Sequence, residues 1–337
     1  MTADDPTAAG LADWIRSMGG FVGALEVRRP PGGVRGLYAG ADIAAGDVLL
    51  EVPRRCQLTP EDALGCVPVE AVRALAGGMA DHVLLALLLL RTADDPAWRP
   101  FHDGLPASLP GHPLFWSDAD LAWLDGTSLR RLVEDRRSLL EEELRGLRAL
   151  GVAVVGDWQR ARTLVSSRVF SGEGAGVALV PFADLMNHAF VSQVTWGFEA
   201  ERFVLRARVP IRAGDEVCDD YGQKSNGRLL LHYGFTMPDN PEAECVVYPW
   251  VLGPFRVRAR HDEGSAELFA ALQAAPGLLE ETCVAALARL RVDGGVAVTE
   301  NERSAVRVRG DERRVLEWLA REACFTARSG PRGEAGP

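Results

Sequence analysis

A block of helical periodicity from Thr59 to Phe170 cuts the strand-forming part of this chain in two, and that interruption restricts the possible folds more than any other feature. Before it, Leu25-Glu26-Val27, Val34 to Tyr38 and Val48 to Val52 read as short strands. They are separated by turns at Pro30-Pro31-Gly32-Gly33 and Ala45-Gly46-Asp47. After it, strand character returns from Val177 to Val217, with Arg212-Ala213-Gly214-Asp215 as a turn. A doubly wound parallel sheet needs β-α-β alternation, which this order lacks, so the pattern predicts an α+β protein.

The helical signals are specific. Leu11, Trp14, Ile15 and Met18 before Gly19-Gly20 predict a short opening helix. Leu129, Leu132, Val133, Leu139, Leu140, Leu144 and Leu147 mark one long amphipathic helix. Ser225 has the chemistry of an N-cap for a helix through Leu229 and Leu230 that Gly234 can end. Beyond Pro241 the pattern is mainly helical, with Thr299 and Glu302 at capping-box spacing. Gly310 argues against a single helix there, and Ser329 to Pro337 is expected to fray.

Composition narrows the function. With 37 basic and 47 acidic residues the net charge is −10, which disfavours a phosphate-backbone binder. The longest apolar run, Val83 to Leu90, is far short of the roughly 20 residues of a membrane span and reads as a buried helix core. Met1 to Gly10 has no basic segment leading into an apolar one, so a cytoplasmic location is expected. Six cysteines with no C-x-x-C pair are expected to be reduced, buried thiols, and no metal is expected. The 37 basic residues include a single lysine, Lys224.

Two stretches carry chemistry. Val180 to His188 delivers Asp184, Asn187 and His188 within a few residues; alone, these suit either a metal pair or an Asn-His pair that satisfies backbone groups. The second runs from Ile211 through Tyr221-Gly222-Gln223-Lys224-Ser225-Asn226 to His232-Tyr233-Gly234-Phe235. Arg35-Gly36-Leu37-Tyr38-Ala39, Asp184-Leu185-Met186-Asn187-His188 and this Tyr-Gly-x-x-Ser-Asn segment together resemble a SET-domain protein methyltransferase. More narrowly, they are similar to the branch of the Rubisco large-subunit lysine methyltransferases and the related actin-histidine methyltransferase. Trp98-x-Pro100-x-x-Asp103-x-Leu105-Pro106, Pro113 to Ser117 and Leu124 to Thr127 resemble that branch's helical insert.

The resemblance implies an α+β, β-clip type SET fold of short strands with a large helical insertion and a small helical C-terminal domain. Its parts would be 1–58, the N-terminal part of the SET domain; 59–170, the insertion; 171–240, the C-terminal part with cofactor and catalytic motifs; 241–328, a helical substrate-binding-like domain; and 329–337, a flexible tail. It implies in-line methyl transfer from S-adenosyl-L-methionine, leaving S-adenosyl-L-homocysteine, to a lysine of a non-histone protein. Gly33, Arg35, Gly36, Ser167, Arg168, Asp184, Asn187, His188 and Tyr221 would bind the cofactor. Tyr221 and Tyr233 would be catalytic, and Phe170, Trp196 and Tyr233 would line the substrate channel. Arg168 would pair with the cofactor carboxylate and His188 would meet the adenine mainly through its backbone. The Tyr221 phenol oxygen, with carbonyls near Ser167 and Asp184, would ring the transferring methyl group.

Presenting a neutral lysine amine at pH 7 costs about 4.6 kcal/mol. A sulfonium about 4 Å away disfavours the ammonium by up to about 4 kcal/mol at an effective dielectric of 20. No dedicated base is therefore required. An imidazole beside the apolar Phe170 would leave a nitrogen unpaired, so lysine is favoured over the alternative of a histidine acceptor. A further alternative is a SET-fold peptide-binding module without turnover. The acidic balance predicts a basic protein partner.

Overall fold

In a computed structural model the described residues are 6–31, 33–172, 176–248, 254–260, 262–271, 276–290 and 296–329. The chain divides into two compact units. One comprises Met1–Ser108 with Leu140–Gln223, the other Leu109–Leu139 with Lys224–Pro337.

Along the chain, α1 (Pro6–Ser17), β1 (Phe21–Val22), β2 (Leu25–Arg28), β3 (Gly36–Ala39) and β4 (Val48–Pro53) precede the helical block. That block holds α2 (Val69–Ala76), α3 (Ala80–Arg91), α4 (Arg99–Gly104), α5 (Asp118–Ala122), α6 (Ser128–Ala149) and α7 (Trp158–Arg168). Then come β5 (Val169–Gly172), β6 (Gly176–Leu179), β7 (Asn187–His188), β8 (Val194–Glu199), β9 (Arg202–Ala207) and β10 (Glu216–Asp219). The chain continues through α8 (Asn226–Tyr233), β11 (Glu244–Val247), β12 (Phe255–Arg258), α9 (Glu263–Ala271), α10 (Pro276–Arg289) and α11 (Glu300–Ser329).

The first unit is built on two four-stranded sheets, ordered β1-β4-β9-β8 and β2-β3-β10-β7. Each draws strands from both sides of the helical block, so the segments separated in sequence close one core. Only the β10–β7 pairing within these sheets is parallel, with Cys218 opposite Asn187 and Asp219 opposite His188. This junction brings the two chemistry-bearing stretches side by side. Val69 to Arg91 has the length and apolar content of a membrane-crossing segment. Here it forms α2, a 3-10 turn at Gly77–Met79 and α3, and protein buries Val83 to Leu89. The Arg162 guanidinium at the centre of α7 is fully buried and meets Glu143 of α6 with two hydrogen bonds, of 2.8 and 2.9 Å.

The second unit has its own core around Val257, Leu268, Cys283, Val315 and Leu319. Ser225 Oγ accepts from the Arg228 N–H and Gly234 ends α8 at φ 80°, as the sequence predicts. The Thr299–Glu302 capping box is also present. Glu312, in mid-α11, caps the start of α6. Its carboxylate accepts from Ser128 N at 2.8 Å, Ser128 Oγ at 2.7 Å and Leu129 N at 3.2 Å.

Three expectations are corrected. Gly310 does not break the last segment: α11 is continuous, because one interior glycine costs only about 1 kcal/mol against a well-buried helix face. The region after Pro241 is mainly helical, as expected, through α9, α10 and α11, but it opens with strands that the pattern does not predict, the antiparallel pair β11 and β12. The cysteines are not uniformly buried: Cys56, Cys245 and Cys283 are, whereas Cys218 is half-buried and Cys66 exposed. The tail expected at 329–337 lies outside the described residues from 330 onward, and so does Gly32 of the first turn.

Candidate active site

The parallel β7–β10 pair ends the second sheet, and the polar residues of both motifs gather around it. β7 is only two residues long because the chain enters it from a tight 3-10 turn, Ala183–Leu185. Asp184 lies in that turn, while Asn187 and His188 lie in the strand, so Asp184 and His188 are not on successive turns of one helix. Phe182, just before the turn, is a feature that nothing in the sequence marks. It is buried at φ 74° and ψ −44°, a conformation costing about 1–3 kcal/mol for a side chain with a Cβ. That kink aims the Asp184 turn back toward α7.

Arg168, the last residue of α7, takes the offered turn. Its Nη1 donates to the Asp184 carbonyl at 2.8 Å and to the Asp184 carboxylate at 3.0 Å. Burial pushes the Asp184 carboxyl above its usual range, and the Arg168 and Arg35 guanidinium groups pull it back. Arg168 Nε is buried and has no hydrogen-bond partner among the described residues. A buried guanidinium N–H without an acceptor is costly, and a carboxylate-bearing ligand would satisfy it.

Asn187 Nδ2 donates to the Arg35 carbonyl at 3.1 Å and to Glu216 at 2.6 Å, which joins the first glycine-rich turn to β10. A Cβ at Gly36 would fall on the Glu216 carboxylate and the Asn187 amide, so only glycine fits there. Gly33 closes a turn by donating to the Pro30 carbonyl at 2.9 Å. The Arg35 guanidinium donates to the Gly104 carbonyl. Ser167 Oγ donates to the Thr163 carbonyl at 2.9 Å within α7, so its hydroxyl is committed inside the helix.

Tyr221 follows β10 directly. Its backbone N–H donates to His188 Nδ1 at 3.1 Å, and its ring stacks on the His188 imidazole with centroids 5.2 Å apart. Its phenol donates to the Met186 carbonyl. Met186 lies two residues after Asp184, whose own carbonyl accepts from Arg168. Phe170 and Trp196 meet edge to face at 5.1 Å, and both pack on the buried Phe203. Tyr233 belongs to the second unit, where the Lys224 ammonium lies 5.8 Å from its ring centroid. Thus Arg35, Gly36, Arg168, Asp184, Asn187, His188 and Tyr221 converge in the first unit, with Gly33 at the edge of the same turn.

Short strands broken by a helical insertion, with an Asn-His strand paired in parallel to the strand that delivers a tyrosine, define a β-clip class of fold. A family model described as the SET domain matches residues 34–222, more than half of the 337. The chain belongs to the SET-domain family. It is 32% identical over 257 residues to the chloroplastic [fructose-bisphosphate aldolase]-lysine N-methyltransferase of Arabidopsis thaliana, covering 68% of this chain and 52% of that one. To the chloroplastic ribulose-1,5-bisphosphate carboxylase/oxygenase large subunit N-methyltransferase of Nicotiana tabacum it is 31% identical over 230 residues, covering 61% and 46%. The chain therefore spans about half the length of these relatives. The structure of Rubisco LSMT bound to AdoMet superposes with a TM-score of 0.78 at 19% identity, over 99% of this chain and 98% of that one, and shows the shared fold.

Proposed function

We propose that this chain is an S-adenosyl-L-methionine-dependent protein-lysine N-methyltransferase acting on a non-histone protein. The observation that carries the proposal is the convergence of Arg168, Asn187, His188 and Tyr221 at the β7–β10 junction of a SET fold. The two relatives described above methylate aldolase and the Rubisco large subunit by name, which supports a protein acceptor.

The residues present fit the methyl donor. Arg168 has a buried N–H available for its carboxylate, the Gly36 turn permits close backbone approach, and Asn187 Oδ1 is the amide atom left after Nδ2 has bonded Arg35 and Glu216. When bound, S-adenosylmethionine supplies an electrophilic methyl group and a nearby positive charge that disfavours the acceptor's protonated form. The chain itself orients the acceptor and excludes water. Tyr221, stacked on His188 and anchored at Met186, holds its phenol oxygen in a fixed place as an acceptor for polarised C–H groups. The Phe170–Trp196 corner offers apolar and aromatic surface suited to a lysine stem and its cationic head. The Phe170 side chain itself offers no polar partner for an imidazole, which supports lysine over histidine.

The test is transfer of a labelled methyl group from S-adenosylmethionine into host protein, with Tyr221→Phe alongside. The proposal expects labelling that the variant reduces by about 100-fold or more. Cofactor binding without any labelling would favour a peptide-binding module.

A further inference from the structure

Asp219 is a buried carboxylate with no assigned part in holding the methyl donor. It ends β10, two residues before Tyr221, and is 8% exposed. Its Oδ2 accepts the Trp196 indole N–H at 2.9 Å, and its Oδ1 accepts the Asp220 backbone N–H at 2.8 Å and lies 3.0 Å from Ser192 Oγ. Its own carbonyl accepts from Ala189 at 2.8 Å, immediately after His188, with which it is in register. One side chain therefore ties together β8, the turn before it and the strand end that leads into Tyr221.

The choice of residue is informative. An apolar side chain would complete the β10 ladder equally well, because the strand's backbone bonds do not involve the carboxylate. Among the described residues, the groups bonded to the Asp219 carboxylate are the Trp196 indole, the Asp220 backbone N–H and the Ser192 hydroxyl, none of them a cation. A buried anion held only by dipolar donors is costly unless those donors need a charged acceptor. Its donors are the indole of the aromatic corner and the backbone of the segment carrying Tyr221. A charged acceptor on the indole N–H also raises the electron density of the ring, which favours a cation at its face.

We propose that Asp219 is a positioning residue that fixes the Trp196 indole relative to Tyr221 and biases that corner toward a cationic acceptor. The catalytic consequence rests on the methyltransferase reading; the anchoring itself does not. The full chain has eight tryptophans, and Trp196→Phe identifies the Trp196 signal in a nitrogen-15 indole spectrum. In Asp219→Asn, where an amide NH2 replaces one of the two accepting oxygens and the charge is lost, that signal is expected to move and its solvent exchange to quicken about tenfold or more. With a soluble host extract as methyl acceptor, kcat should fall about tenfold while the S-adenosylmethionine dissociation constant stays within about threefold. Trp196→Phe should show a similar loss, and the double variant should be no worse than the weaker single, because both remove the same contact. Should Asp219→Asn fail to fold, Trp196→Phe alone decides, by its kcat at unchanged cofactor affinity. If the wild-type chain labels nothing, the methyltransferase reading fails while the indole spectrum still tests the anchor. An unmoved indole signal, or losses that multiply in the double variant, would overturn the proposal.

Discussion

Arg168 grips Asp184 at two points, its Nη1 reaching both the backbone carbonyl at 2.8 Å and the carboxylate at 3.0 Å. The contact joins the end of the helical insertion to the turn that precedes Asn187 and His188. It is nearly out of solvent, with the Asp184 side chain only 4% exposed. Removing one partner of such a pair leaves the other charge stranded. Arg168→Ala is expected to lower stability by about 3 kcal/mol, and Arg168→Lys, which keeps the charge without the planar guanidinium, by less. Urea unfolding measures both, and equal stability of Arg168→Ala and wild type would contradict the account.

Tyr221→Phe removes the phenol and its bond to the Met186 carbonyl but leaves the stack on His188. Stability should fall by only about 1 kcal/mol, and S-adenosylmethionine affinity should change little. A large loss of methyl transfer with cofactor binding intact separates a role at the acceptor from a role in folding. Parallel loss of binding and transfer would argue against the assignment.

Gly36 sits where a methyl group would strike both Glu216 and Asn187. Gly36→Ala should therefore push apart the contact between the glycine turn and β10, at a cost of about 1–3 kcal/mol. S-adenosylmethionine affinity should drop with it. Calorimetric titration tests this, and unaltered affinity would remove the Gly36 turn from the cofactor site.

Burial raises the Glu312 carboxyl from 4.5 to about 7 despite its bonds to Ser128 and Leu129. Between those pH values the folded protein retains a proton that the unfolded chain has released. This group's contribution to stability therefore falls as pH rises through that window, by roughly 3 kcal/mol in all. His112 and His232, held down to about 3 and about 4 chiefly by burial, act in the opposite sense below pH 6.5. Both histidines remain in Glu312→Gln, so the wild-type minus variant difference in unfolding free energy isolates Glu312. That difference should decline from pH 4.5 to 7, and a flat difference would show that Glu312 does not titrate in this range.

Features set by neighbours close in sequence were legible in the chain. The Ser225 cap, the Gly234 stop, the Thr299–Glu302 box and the buried α3 each depend on residues within one or two helical turns. The two motifs that meet at the β7–β10 junction were legible because their residues are contiguous and resemble a known family.

What escaped was set by distant contacts. β11 and β12 are four residues each, too short to outweigh the helical pattern around them, and are stabilised by pairing with one another. Gly310 passes for a breaker until the buried face of α11 is known. The positive φ of Phe182 has no signature in a bulky aromatic residue. Asp219 looks like one of two surface acids before Tyr221, until the fold brings Trp196 and Ser192 to it.

The central claim is methylation of a protein lysine by the site at the β7–β10 junction. Its most direct test is peptide mass spectrometry of host protein incubated with the purified chain and S-adenosylmethionine. The account predicts methyl groups on a lysine side chain, present with the wild type and lost with Tyr221→Phe. Methyl groups on histidine, or lysine methylation that the Tyr221→Phe chain performs as well as the wild type, would contradict it.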